Sequence, residues 1–301
     1  MSGSRDEPHP SDRASMLTRL LGFRTGLGGR PPNVERAIAR RDLKGLARAL
    51  EYPDGTVREA AARGLGEVGG LPSMELLIAA LRDPEWRVRV VAVKQIGVLI
   101  AGLEGDDPSE IDDLIQTAAD PLALTLQQDG EWRVRVAVAE VLGSMGEKLS
   151  IPDLQVQVNE ALLLALRDEK WAVRRAASGS LTQMGDSAVE LLVVALQDPL
   201  WCVRESAARA LGQTGAQPSE TASLGFLVRP LAATLQDQDP RVRYAAAKAL
   251  GRVATWTDEA ELRDLALRSL VDALGGDQGR VREAAAGSLG LLADARAVEP
   301  L

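Results

Sequence analysis

The stretch Asp239-Pro240-Arg241-Val242-Arg243-Tyr244-Ala245-Ala246-Ala247-Lys248-Ala249-Leu250-Gly251 opens with a turn pair and runs on with apolar residues at helical spacing. Val242, Ala245, Ala246, Ala249 and Leu250 fall at i, i+3, i+4, i+7 and i+8, one face of an α-helix. Val134, Ala137, Val138, Val141 and Leu142 repeat those offsets. Working outward, the Val-Arg pair recurs at Val57-Arg58, Val88-Arg89, Val134-Arg135, Val173-Arg174, Val203-Arg204, Val242-Arg243 and Val281-Arg282. Eight residues after each Val stands Leu65, Ile96, Leu142, Leu181, Leu211, Leu250 or Leu289, and a Gly follows in every case but one, Thr182. Seven residues before the Val lies Leu50, Leu81, Leu166, Leu196, Leu235 or Leu274, with Leu126 one position earlier in the third unit. The anchors are separated by 31, 46, 39, 30, 39 and 39 residues. Agreement at several offsets marks an internal repeat.

Each unit reads as helix A, a short turn and helix B. The turns carry Asp83-Pro84, Asp129-Gly130, Asp198-Pro199 and Asp239-Pro240; Asp is expected to cap free helix N–H groups, and Pro tolerates a first helical turn. The Gly after the Leu is expected to loosen or end helix B. A helices are predicted near 34–50, 72–82, 110–127, 154–167, 187–197, 222–236 and 259–274. B helices are predicted near 56–68, 86–101, 131–146, 170–184, 200–214, 240–254 and 279–292. One pair leaves an apolar face exposed, and stacking covers it. The expected fold is all-α, a right-handed α-α superhelix of about seven helical hairpins filling residues 34–301.

The succession of turn Asp, Val-Arg, Ala-Ala and Leu-Gly resembles the HEAT repeat, in the bacterial form named after the phycobilisome lyases. The likeness covers about residues 34–301 and speaks to fold far more than to function. It implies that Asp and Arg form ladders along the stack, so that Arg89, Arg135, Arg174 and Arg204 are structural.

Composition agrees. Apolar residues are 46% of the chain and aromatics only 3%, and small residues with Leu suit closely packed helices better than sheet. A net charge of −8 disfavours nonspecific nucleic-acid binding, which needs a basic field. Cys202 is the only cysteine, so an intrachain disulfide is excluded and a reducing, cytoplasmic setting is expected. No apolar run reaches the length of a membrane span.

Residues 1–33 do not fit the repeat. They read as a disordered or weakly helical tail and linker, basic through Arg13, Arg19, Arg24 and Arg30; a docked short helix and a membrane or partner contact are both open. The segment Ala295–Leu301 resembles the opening of another A helix, which suggests an array truncated at its C-terminus. The carboxylates Glu104, Asp106, Asp107, Glu110, Asp112 and Asp113 lack the spacing and central Gly of a calcium loop, and a solvated connection is expected.

No catalytic constellation and no cofactor or metal site is expected. The sole histidine, His9, is in the tail, which excludes a Ser-His-Asp triad or a histidine metal cluster on the repeats. It also separates the chain from the HEAT-type hydroxylases, whose iron sites require His-Glu pairs. No phosphate-cradling Gly motif is present, and Cys202 reads as a packed small residue. One feature exceeds scaffold: Trp86, Trp132, Trp171 and Trp201 each stand two residues before an anchor Val. Stacking is expected to align them at the B-helix starts beside Arg87, Arg133 and Arg241, with Arg175 and Arg209 further along the same face. Aromatic and Arg residues anchor protein interfaces; alternatively each indole covers the top of the core. Trp256 fits no row. The expected function is a non-catalytic scaffold or adaptor binding a protein or peptide on a concave B-helix surface. Alternatives are a subunit handling a bilin on a chromophore protein, as the name-giving lyases do, or a chaperone, and a DNA-binding protein like the HEAT-like alkylpurine glycosylases, which the acidic charge opposes. Sequence leaves the oligomeric state open.

Overall fold

The computed structural model describes residues 31–102, 108–146, 151–214, 225–276 and 278–292. The basic tail through Arg30, the acids at 104–107 and the A-helix opening at 295–301 lie outside the described residues. Among the described residues the chain is all-α, with 15 helices and no strand.

The first A segment departs from the predicted single helix. It divides into α1 (Val34–Ala39) and α2 (Leu43–Leu50). Arg41 takes φ 49°, a left-handed conformation that breaks a right-handed helix. Asp42 then caps α2 by accepting the Gly45 N–H at 3.0 Å, as Asn33 caps α1 through the Arg36 N–H at 2.8 Å. Two capping side chains within one stretch start two helices.

Thereafter the pairs alternate as read. The B helices are α3 (Gly55–Val68), α5 (Trp86–Ala101), α7 (Trp132–Gly146), α9 (Trp171–Gln183), α11 (Trp201–Thr214), α13 (Pro240–Ala254) and α15 (Gly279–Leu292). The A helices between them are α4 (Leu71–Ala80), α6 (Pro108–Gln128), α8 (Pro152–Ala165), α10 (Asp186–Ala195), α12 (Gly225–Thr234) and α14 (Ala260–Leu274). Four A helices stop two residues short of prediction, because their ends tighten. The N–H groups of Leu81, Arg82 and Asp83 bond to the carbonyls of Ile78, Ala79 and Ala80, three residues back, and 166–168, 196–198 and 235–237 do the same. This tightening delivers each Asp into the turn.

The anchors are where the core sits. Val88, Val134, Val173 and Val242 are fully buried, as are Leu65, Ile96, Leu142, Leu181, Leu211 and Leu250. The chain divides into two compact units, 1–154 and 155–301, with the division inside α8. In the first, α3, α5 and α7 lie side by side, with α2, α4 and α6 against them. In the second, α9, α11, α13 and α15 lie side by side, with α10, α12 and α14 against them.

The Gly after the buried Leu does not end helix B; it lies inside it. A Cβ at Gly212 would stand 2.8 Å from the Ala249 Cα, and one at Gly251 would stand 2.4 Å from the Ser288 Cβ. At Gly212 and Gly251 neighbouring B helices approach to backbone contact, which leaves room only for Gly. In the exceptional hairpin, Thr182 instead meets α11 by a side-chain hydrogen bond to Gln213 at 3.4 Å.

Candidate partner-binding surface

The turn Asp has a different task from the expected cap. Asp83, Asp129 and Asp198 accept the N–H two residues on, in Glu85, Glu131 and Leu200, at 2.8, 2.9 and 2.9 Å. Such Asx turns leave the rest of the carboxylate facing the preceding hairpin. There Arg58 binds Asp83 through Nε at 2.7 Å and Nη2 at 3.0 Å, and Arg89 binds Asp129 at 2.6 and 2.8 Å. Arg204 binds Asp237 at 2.6 and 2.8 Å. The third guanidinium nitrogen of each donates to two carbonyls of its own turn, as Nη1 of Arg89 does to Asp83 and Pro84. Each such Arg ties two hairpins together, bidentate on one side. Asp239, by contrast, is a true cap, accepting the Arg241 N–H at 2.8 Å.

One rung differs. Arg174 donates to the Asp168 and Glu169 carbonyls at 2.9 and 3.2 Å, but its Nε is buried with no hydrogen-bond partner among the described residues. Asp198 is bound instead by Arg167 at 2.6 Å. The structural role implied for Arg89 and Arg204 therefore holds with Asp as partner, whereas Arg174 bonds its own turn and meets the next hairpin through the Trp201 ring rather than a carboxylate. Arg135 donates to the Asp129 carbonyl at 2.7 Å.

The tight turns set the first residue of four B helices, and that residue is Trp. In the first unit the Arg133 guanidinium carbon lies 5.2 Å from the Trp86 ring centre and 4.6 Å from that of Trp132. One cation thus serves both indoles, steadied by Glu131 at 2.8 Å, with Arg87 5.5 Å from Trp86. In the second unit Arg241 stacks 3.4 Å from Trp201, and Arg174 lies 5.9 Å from the same ring. Arg175 lies 5.4 Å from Trp171, which is 52% exposed. The indoles of Trp86, Trp132 and Trp201 are half-buried. These separations are within reach of cation–π attraction. The hydrogen bond from Arg241 is the largest of several effects on the Asp239 carboxyl and holds it below the ordinary carboxylate range.

Arg209 does not join the indoles. It pairs with Glu205 one turn away and borders a furrow between α11 and α13 with Gln213, Tyr244, Lys248 and Arg252. Sequence reading missed the last three, because only packing puts α13 beside Arg209; their spacing of four was the available signal. Trp256 follows α13 and is 55% exposed. Among the described residues no cluster of His, Cys, Asp and Glu could hold a metal ion, and no helix is long and apolar enough to cross a membrane.

Antiparallel helix pairs tied edge to edge by Arg–Asp rungs define an α-solenoid protein. The chain belongs to the HEAT-repeat family: the pattern described as HEAT repeats matches residues 43–123, 74–160, 158–228 and 226–290, and that of the PBS lyase HEAT-like repeat matches 281–301. No curated protein matches it. Among solved structures, one similar chain comes from the Kap95p–RanGDP structure, with TM-score 0.60 and 15% identity, over 89% of this chain and 38% of that one. Another comes from crescerin, which uses a TOG domain array to regulate microtubules in the primary cilium; it has TM-score 0.50 and 22% identity, over 71% of this chain and 88% of that one. An engineered protein aligns over 98% of this chain and 78% of its own at 21% identity and TM-score 0.43.

Proposed function

We propose that this protein is a non-catalytic scaffold that binds a protein or peptide partner on its B-helix surface, through the indole–guanidinium clusters at the helix starts. The observation that carries this reading is the Trp86–Arg133–Trp132 stack. It sets two half-buried indoles and a shared cation on helix ends fixed by Arg58–Asp83 and Arg89–Asp129. A rigid aromatic and Arg patch loses little freedom on binding, which favours affinity. The HEAT family assignment supports the same reading, and Kap95p, whose structure is similar in fold, binds the protein RanGDP.

The test compares the wild type with Trp86→Ala/Trp132→Ala as immobilised bait for proteins of the source organism, identified by mass spectrometry. Far-UV circular dichroism checks that both are folded. A protein retained by the wild type and lost from the variant supports the reading. Capture unchanged by the double substitution retires the indole stack as the site.

A further inference from the structure

The furrow between α11 and α13 has a chemistry of its own. It encloses about 350 Å³, and its lining contains three cations, Arg209, Lys248 and Arg252, with no carboxylate. Arg209 is engaged by Glu205. Lys248 leans toward the Tyr244 ring at 5.6 Å, and among the described residues neither Lys248 nor Arg252 has an ion-pair partner. The two lie one helical turn apart on α13, facing the same furrow. Gly212 and Ala249 face each other in its lining, where a Cβ at Gly212 would stand 2.8 Å from the Ala249 Cα, so between these two residues the lining is backbone and a single methyl group.

Tyr244, Lys248 and Arg252 follow one another at four-residue steps along α13, a rise of about 6 Å per step. Alternate side chains of an extended peptide are about 6.7 Å apart. The two spacings nearly coincide.

We propose that this furrow binds an extended acidic peptide segment, with Lys248 and Arg252 receiving carboxylates on alternate residues and Tyr244 packing beside the next. The proposal rests on the reading that the B-helix surface takes a protein partner, and adds the place and the charge of one segment of it. A nucleic acid fits less well: two free cations release few counterions, and the acidic remainder of the chain repels a long polyanion.

The experiment measures fluorescence anisotropy of a labelled peptide of alternating glutamate and serine, titrated with the full chain. The wild type binds it, binding weakens as salt rises, and Lys248→Glu/Arg252→Glu lowers affinity about tenfold or more. If charge reversal disturbs the circular dichroism spectrum, Lys248→Gln/Arg252→Gln carries the same expectation of loss. Trp86→Ala/Trp132→Ala binds the peptide as the wild type does, so failure here is distinct from failure of the indole stack. No binding by the wild type, or equal binding by the charge variants, overturns the proposal. Tighter binding of labelled oligo-dT through the same two residues also overturns it, in favour of nucleic acid.

Discussion

The smallest consequential unit of this protein is one Arg with the Asp of the following hairpin. In the Arg204–Asp237 pair the side chains are only 17% and 10% exposed, so removing one partner strands the other. Arg204→Ala is expected to cost about 2–4 kcal/mol, read as a lowered midpoint in urea unfolding followed by circular dichroism. Arg174→Ala is expected to cost less, about 1 kcal/mol, because it gives up two carbonyl contacts and a distant contact with the Trp201 ring but no carboxylate. Equal losses would contradict the unequal rungs. Burial pushes the Asp237 carboxyl up, but hydrogen bonds from Arg204 and the Asp239 N–H outweigh it and hold it below the ordinary range. A carboxyl with a lowered folded-state pKa stabilises above the unfolded value of about 3.9 and ceases to do so as pH falls through the folded one. Asp237→Asn should therefore lower Tm most at pH 7, and the gap should begin to narrow below about pH 4 and close as pH falls through the lowered folded value; a gap independent of pH would contradict the pairing. Sequence showed every Val-Arg, but of the rung carboxylates it named only those of the earlier turns and took Asp239 where Asp237 meets Arg204. It misassigned Asp83, Asp129 and Asp198 as caps because their partners, Arg58 and Arg89 among them, lie on another hairpin, 25 or 40 residues away.

Between helices, glycine decides how closely two B elements approach. The same substitution should act with opposite signs at two mid-helix sites. Gly179→Ala adds a Cβ that meets nothing within 4 Å, and should stabilise by about 0.5–1 kcal/mol through helix propensity. Gly212→Ala drives a Cβ to 2.8 Å from the Ala249 Cα, a backbone atom that cannot swing aside, and should destabilise by about 1–3 kcal/mol. Thermal unfolding of the two variants reads the signs, and two changes of like sign would refute close approach at Gly212. The B helices were legible almost to the residue, since their apolar period is strict and Trp or Pro marks several starts. The role of Gly212 was not, because a single glycine after a helical run equally suits a helix end. Nor was the division of α1 from α2, where the positive φ of Arg41 leaves no mark in composition and only the Asp42 cap hinted at a second start.

At the scale of the molecule, the repeat converts sequence phase into surface. Because the Val-Arg anchors hold phase, Arg133 of one hairpin reaches Trp86 of the one before, and Arg241 reaches Trp201 by the same step in the other unit. The candidate site was thus half legible: the indoles and Arg133 follow from phase, while the furrow of Tyr244, Lys248 and Arg252 needed helix packing to appear. The central claim, that adjacent B helices lie side by side in one constant phase, the position nine after one anchor Val facing the position seven after the next, has a direct chemical test. A Cβ at Gly97 would lie 3.8 Å from that of Val141, the separation typical of a disulfide. In a Cys202→Ser background, Gly97→Cys/Val141→Cys should cross-link nearly completely under mild oxidation, read as a two-hydrogen mass loss. Gly97→Cys/Ala137→Cys, displaced by one helical turn, should remain largely reduced. Cross-linking at 137 in preference to 141, or at neither, would contradict the matched phase on which the rungs, the indole stack and the furrow all depend.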